Sequence, residues 1–547
     1  MHAETMLLYV LAGVAVIVAV RWFAGRTGLP AAAILPVIGI VYALLPGQNL
    51  PLEPEVVLTF VLPPLLYSAA LDASLLAIRR NLRIVVSLSV MLVFITALVI
   101  GYGFHFLVAG ATLAAGIAVG AAVAPPDPVA ALAVGRRVGL PPRLVTIIQG
   151  EGLLNDATAL TILSFATAAV LGEGFSAPAA AGRFIVAAAG GAATGAAVAY
   201  ALRLLRPVTR DPMSANAVSL ATPFLAYLLG EHLHVSGVLA VVVAGLVVGH
   251  HAPRAASGAS RLQTSAVWRL VDFLLEGFVF LLIGQQLPEV IRGLRHYETS
   301  TVVTALAVSV GSVLLIRPLW LLLTQSLPRS LHSRLGNGQH AERLSGREVT
   351  VLSWAGTRGV ISLAAVFTLP RVTPDRDLLL FCTFAVVLVT LVGQGLTFAP
   401  LVRRLGLRAD EIDEARLRNE ARSASVHAAL DQLDDLDRER REDLGRRDAD
   451  ADADAAEAEA IQVMRGLLAQ RLARYQGRID LLQSAESPEM PVSPRYEAAL
   501  RIRRAVMEAQ REELLRWRDA GTLPDEGLRV LERELDHEER LLPERRK

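Results

Sequence analysis

From residue 6 to about residue 402 the chain is a succession of apolar runs, each close to bilayer length, parted by short charged loops. About 20 mostly apolar residues cross the hydrocarbon core as a helix. Lipid leaves no partner for a bare backbone group, so only helices or closed barrels span it. Thirteen runs qualify as helices: 6–25, 29–46, 55–77, 83–108, 111–135, 142–171, 182–205, 214–231, 235–250, 266–287, 301–325, 348–369 and 378–402. The eighth and ninth are parted only by Gly230-Glu231-His232. Beyond about residue 408 Arg, Asp and Glu dominate. The expected organisation is an all-α polytopic membrane domain over 1–408 and a helical cytoplasmic tail over 409–547. The run from Met6 to Val20 has no Lys or Arg before it, and Arg21 and Arg26 after it. A cleavable signal has the reverse order, so a retained first helix is expected.

Arginine placement tests the count, because loops facing the cytoplasm collect basic residues. Loops after odd-numbered runs hold Arg21 and Arg26; Arg79, Arg80 and Arg83; Arg136, Arg137 and Arg143; Arg203, Arg206 and Arg210; Arg254 and Arg261; and Arg329, Arg334, Arg343 and Arg347. Loops after even-numbered runs hold only Arg183, Arg292, Arg295, Arg371 and Arg376. The alternation predicts an N-terminus outside and a tail in the cytoplasm. Lys and Arg number 53 against 52 Asp and Glu, and the tail interleaves both signs, so no nucleic-acid surface is expected. A single cysteine, Cys382, excludes a disulfide framework and a cysteine metal site within one chain. No cofactor or nucleotide site is legible.

Two runs carry breaks that a simple anchor would avoid. The fifth reads Val123-Ala-Pro-Pro-Asp-Pro-Val-Ala130, and its prolines remove backbone donors around Asp127. The twelfth reads Ser353-Trp-Ala-Gly-Thr-Arg-Gly-Val-Ile-Ser362, with glycines flanking Arg358. If the seventh run is a linker, each break falls on the fifth helix of a six-helix half. The second half is then inverted relative to the first. Matched interruptions in inverted repeats point to a transporter's midplane binding site.

The sixth run supplies Gln149-Gly-Glu-Gly-Leu-Leu-Asn-Asp-Ala157. Glu151 and Asn155 share one helix face, and Gly152 and Asp156 the next, which predicts room beside the Asp156 carboxylate. A carboxylate at membrane depth holds a proton when desolvated and loses it when a cation approaches. That competition is the minimal chemistry of cation–proton exchange. Plainer readings stand beside it. Glu151, or Asp156, can be an ion pair with Arg358. Asp127 can cap the second half of its broken helix, and capping does not preclude ligation. Arg358 is expected to be structural, neutralising carboxylates and the C-terminal dipole of a half-helix. Glu276 is expected to be buried, with structural and functional roles both open. Asp272, one turn earlier, is expected to be wet, and Asp72 interfacial.

Five motifs occur in order: Leu62-Pro-Pro-Leu-Leu-Tyr67, Pro126-Asp-Pro128, Gly150-Glu-Gly-Leu-Leu-Asn-Asp156, Phe278-Val-Phe-Leu-Leu-Ile-Gly284 and Gly356-Thr-Arg-Gly359. Together they resemble the bacterial sodium/proton exchangers of the cation:proton antiporter superfamily, and more narrowly their electroneutral Asn-Asp branch. The resemblance covers about residues 1–408. It implies a secondary antiporter, not an enzyme, that exchanges Na+ (or K+ or Li+) for H+ in the inner membrane. It further implies a homodimer in which a core domain moves against a fixed dimerisation domain. Asp156 would bind the cation and proton, Asn155 would interact with Glu151, Asp127 would be a ligand or half-helix neutraliser, and Arg358 would match the arginine near the second break. Ser68 follows Leu-Pro-Pro-Leu-Leu-Tyr where many relatives carry an acid, and would offer a hydroxyl oxygen. Pro126 replaces a common Thr, and Gly152 a Ser of some relatives.

In the tail, Met464, Leu468, Leu472, Tyr475, Ile479 and Leu482 form a helical stripe, with a shorter one at Val426, Leu430 and Leu433. Ser493-Pro494 and Thr522-Leu-Pro-Asp525 look like helix starts. The run Asp448–Asp454 lacks the glycine that a calcium loop needs, so a solvated acidic linker is expected. Two other functions use some of the same parts. An intramembrane aspartyl protease would pair Asp127 with Asp156, but the prolines, Arg358 and the absent Gly-x-Gly-Asp sequence oppose it. A passive cation channel would conduct without proton coupling.

Overall fold

The structure, a computed structural model, describes residues 3–27, 31–45, 54–172, 177–204, 211–255, 258–326, 343–444, 451–483, 494–520, 523 and 525–540. Arg206, Arg210, Arg329, Arg334, Asp448, Asp450, Ser493 and Thr522 of the sequence reading lie outside these residues. The described residues form helices and no strands, in two compact units, Met1–Arg408 and Ala409–Lys547.

In the first unit the helices are α1 Ala3–Thr27, α2 Ala31–Leu44, α3 Pro54–Asp72 and α4 Leu82–Leu107. There follow α5 Leu113–Val123, α6 Pro128–Val138, α7 Pro142–Val170, α8 Ala177–Leu204, α9 Pro212–His232, α10 Gly237–Ala255 and α11 Gly258–Gly293. The last are α12 Thr299–Ser326, α13 Gly346–Trp354, α14 Val360–Phe367 and α15 Arg376–Leu405. Among the described residues nine segments are long and apolar enough to cross a membrane, the α5–α6 pair counting as one. The protein is an all-helical polytopic membrane protein.

Where the helices stop follows from local chemistry. Pro126 and Pro128 withhold backbone donors, and α6 restarts with Pro128 in its first turn. Asp127 has extended backbone and accepts a hydrogen bond from the Val129 amide at 2.9 Å, as an N-cap does. Helix α6 ends at Gly139, whose φ of +74° suits glycine. Helix α13 opens on a reciprocal cap: the Glu348 amide donates to Ser345 Oγ at 3.3 Å, and the Ser345 amide donates to Glu348 Oε2 at 2.7 Å. Helix α11 runs 36 residues, well past the 266–287 expected from hydropathy. Hydropathy marks membrane depth rather than helix ends, and the helix continues past both edges of the apolar run, carrying Pro288 within it.

Inside a bilayer the apolar effect does not draw helices together, so close packing must. Helix α5 presents Ala115, Ala118, Ala121 and Ala122, all buried, against Ala97, Ile100 and Phe104 of α4. Leu363 and Ala364 of α14 and Val386 of α15 complete that core. The two breaks are therefore enclosed by protein.

The second unit holds α16 Glu411–Leu444, α17 Ala451–Gln483, α18 Pro494–Asp519 and α19 Asp525–Arg540. Arg440 links α16 to α17 by donating to Asp454 at 2.6 Å. Arg440 and Arg441 also donate to Asp437, at 3.0 and 2.7 Å, which holds that carboxyl below the usual carboxylate range.

Candidate functional site

The two breaks meet. The Asp127 amide donates to the Thr357 carbonyl at 2.6 Å, and Thr357 Oγ1 donates to the Asp127 carbonyl at 2.9 Å. Arg358 lies across the end of α5: Nε donates to Val123 O at 2.8 Å and Nη2 to Ala124 O at 3.1 Å. A further nitrogen, Nη1, donates to Gly356 O. The Arg358 backbone amide is held by Thr390 Oγ1 at 3.0 Å, from the π-helical turn of α15. Arg358 thus fills the orphan carbonyls of a half-helix with a fixed cation. It makes no hydrogen bond or ion pair with a carboxylate among the described residues, so the pairing expected with Glu151 or Asp156 is not formed.

Glu151 is paired elsewhere. Arg317, at 2% exposure on α12, donates Nη2 to Glu151 Oε2 at 2.8 Å, while Nη1 meets Oε1. Arg317 Nε also donates to Leu352 O of α13 at 2.8 Å, so one side chain ties α7, α12 and α13. The sequence reading passed over Arg317. Its signal was plain: an arginine midway along an apolar run of membrane length is costly unless paired.

Asn155 likewise differs from the expectation that it meets Glu151. Its Nδ2 donates to the Pro126 carbonyl at 2.8 Å, and its Oδ1 is buried without a hydrogen-bond partner. The carbonyl freed by the Pro-Asp-Pro break is therefore met by the residue next to Asp156. The space predicted beside Gly152 is occupied. A Cβ there would lie 2.7 Å from Cδ of Pro128, so the glycine admits the proline ring rather than a ligand.

Asp156 itself is 4% exposed and accepts no hydrogen bond from any described residue. Asp127, half-buried, is within electrostatic reach of it. The other strongly polar groups around it have partners, the carbonyl oxygen of Asn155 excepted. Glu151 has Arg317, Arg358 has three carbonyls, and the Asn155 amide nitrogen has Pro126. What remains is one desolvated carboxylate beside a second one, with no basic group committed to it. Such a site favours a proton or a small cation.

Ser68 and Glu276 do not join that set directly. Ser68 Oγ donates to Asp272 Oδ2 at 2.6 Å, so Asp272 is not simply wet. It is half-buried, and its Oδ1 is buried with no partner. Glu276 is half-buried and has no hydrogen bond among the described residues.

Gly359 permits the close approach of the breaks. A Cβ there would lie 2.6 Å from Asp127 Cγ and 2.7 Å from its Cβ, against the side chain of the facing break. Gly359→Ala is expected to displace the Asp127 side chain at a cost of about 1–3 kcal/mol. Thermal unfolding of the purified protein should report a lowered midpoint, and a midpoint equal to wild type would mean that the approach is looser than described.

Residues 12–404 match the family described as sodium/hydrogen exchanger, transmembrane. An uncharacterised Na+/H+ exchanger of Mycobacterium tuberculosis is 32% identical over 527 residues, 94% of this chain and 92% of that one. A Na+/H+ antiporter of Aphanothece halophytica, ApNhaP, is 30% identical over 70% of this chain and 71% of its own. The sodium proton antiporter MjNhaP1 of Methanocaldococcus jannaschii at pH 8 shares the fold, with a TM-score of 0.59 at 20% identity over 74% of this chain and 99% of its own. The chain belongs to the sodium/hydrogen exchanger family. It is a multi-pass cell-membrane secondary transporter of the cation:proton antiporter superfamily and not an enzyme, which removes the protease reading.

Proposed function

We propose that the protein exchanges a monovalent cation, Na+ first, for H+ by alternating access, with Asp156 as the single carboxylate that carries either one. The observation that carries this reading is the isolation of Asp156: buried, without a donor, beside two helix breaks tied to each other. A proton satisfies the desolvated carboxyl. A cation, ligated by Asp156, Asp127 and the Asn155 carbonyl oxygen, satisfies the carboxylate. Neither state needs the other ligand, so each displaces the other.

In this reading residues 1–408 are the transport domain, with thirteen spans in two inverted six-helix repeats. Residues 409–547 are a cytoplasmic tail, and the N-terminus lies outside. Two copies form a homodimer, whose fixed helices include α1; only 22% of the apolar stretch of α1 is buried inside one protomer. K+ and Li+ are alternative substrates. A Bacillus subtilis relative, 31% identical over 66% of this chain and 56% of its own, is named a sodium, potassium, lithium and rubidium/H+ antiporter.

Asn155 is neutral, so the core carries one exchangeable negative charge and exchange is one for one. Proteoliposomes loaded with a pH dye and clamped with valinomycin test this. Sodium-driven proton movement should run at the same rate, within about twofold, at an imposed potential of either sign. A rate that follows the potential would contradict one-for-one exchange, since one net charge across 100 mV is worth about 2.3 kcal/mol.

A further inference from the structure

Away from the crossing, α11 presents Asp272 and Glu276 one turn apart, and α3 presents Ser68 and Asp72 at the same spacing. The two helices are joined there by the 2.6 Å hydrogen bond from Ser68 Oγ to Asp272 Oδ2. The other Asp272 oxygen, Oδ1, is buried and accepts nothing. Exposure falls in order along this line: Asp72 is exposed, Asp272 and Glu276 are half-buried, and Asp156 is buried. Asp272 lies within electrostatic reach of Asp72, and Glu276 within reach of both Asp272 and Asp127. The nearby cation is Arg21 of α1, whose guanidinium sits 4.9 Å above the Phe273 ring. Arg21 reaches Glu276 electrostatically but forms no ion pair with either acid among the described residues.

A purely structural Ser–Asp contact would leave Oδ1 as it stands, an anionic oxygen cut off from water and from any donor. Buried carboxylate oxygens are normally met by a hydrogen bond, a proton or a cation. The serine hydroxyl donates its hydrogen to Oδ2, which leaves its own lone pairs free to face a cation. A cation against Oδ1 would therefore find a carboxylate oxygen and a hydroxyl oxygen, with Glu276 one helical turn deeper. We propose that Asp272 and Ser68, with Glu276, form a loading site for the transported monovalent cation, separate from Asp156, on the path between the exposed Asp72 and the crossing. The proposal rests on the reading of Asp156 as the exchange carboxylate.

The test uses the full chain in proteoliposomes, with sodium as the probe and the apparent KM and maximal rate of proton movement as readouts. Asp272→Asn keeps the shape and an acceptor for Ser68 but removes the charge. Its KM for sodium is expected to rise about tenfold, as loss of one charge contact in a partly desolvated site allows, with the maximal rate held within about twofold. Asp272→Glu should return the KM most of the way. Ser68→Ala, a smaller change that keeps the helix, should raise KM about threefold. A purely packing role would lower the maximal rate or the yield and leave KM unmoved. Wild-type KM in Asp272→Asn would overturn the proposal, and if that variant does not fold, wild-type KM in Ser68→Ala would do so. Asp156→Asn is run alongside: continued transport there would sink the exchange assignment itself, whatever Asp272 does.

Discussion

Asp156→Asn should reduce sodium-driven proton movement in proteoliposomes to the rate of empty vesicles, a loss of at least about 100-fold. The substitution changes few atoms but removes both states that the mechanism needs. An amide neither releases a proton nor presents a full negative charge to a cation. Neighbouring groups cannot take over. Glu151 is neutralised by Arg317, and Arg358 is spent on the carbonyls of Val123, Ala124 and Gly356. Asp127 is the acid within electrostatic reach of Asp156, and its Oδ1 already accepts the Val129 amide that starts α6. Folding should survive, because Asp156 holds no hydrogen bond that the variant would lose. Unfolding midpoints equal to wild type would confirm that the lost activity is chemical.

Arg317→Ala is expected to have the opposite profile: a collapse of stability with transport lost as a consequence. Arg317 and Glu151 are 2% and 1% exposed, and the arginine also holds Leu352 O. Removing one partner of a buried pair strands the other charge, which costs about 3–5 kcal/mol. Three helices lose their common tie at once. The double variant Glu151→Gln with Arg317→Met removes both charges and keeps the bulk, so it should be more stable than either single change. Thermal unfolding of the detergent-purified proteins measures this. A double variant no better than Arg317→Ala would mean that the pair matters through shape and not through charge. The contrast between Asp156 and Arg317 separates the carboxylate that transports from the charges that brace it.

The fold was largely legible because lipid imposes one rule on every span. Among the described residues the apolar runs fall on helices, nine segments being long and apolar enough to cross a membrane, and the two breaks fall where proline and glycine demanded them. The helix ends were less legible. Helix α11 continues through charged residues at both ends, since leaving the apolar layer does not end a helix. Partners were the least legible of all. Four residues spacing can put Glu151 and Asn155 on one face, but it cannot say what lies opposite. The partner of Glu151 is 166 residues away on α12, and that of Ser68 is 204 residues away on α11. Asn155 turned to a carbonyl that exists as a free acceptor only because Pro126 and Pro128 broke the helix. Gly152 shows the same limit, since the room it makes is filled by a proline from another segment. Charge at membrane depth was the reliable signal, and it would have found Arg317 had it been applied to every span.

The most direct test of one carboxylate serving two ions is the apparent KM for sodium measured against pH in proteoliposomes. Competition at a single group predicts that, on the acidic side of its profile, KM rises about tenfold for each unit that pH falls, while the maximal rate at saturating sodium stays constant. A KM that does not change with pH while the maximal rate falls would contradict the account, because proton and cation would then occupy separate sites.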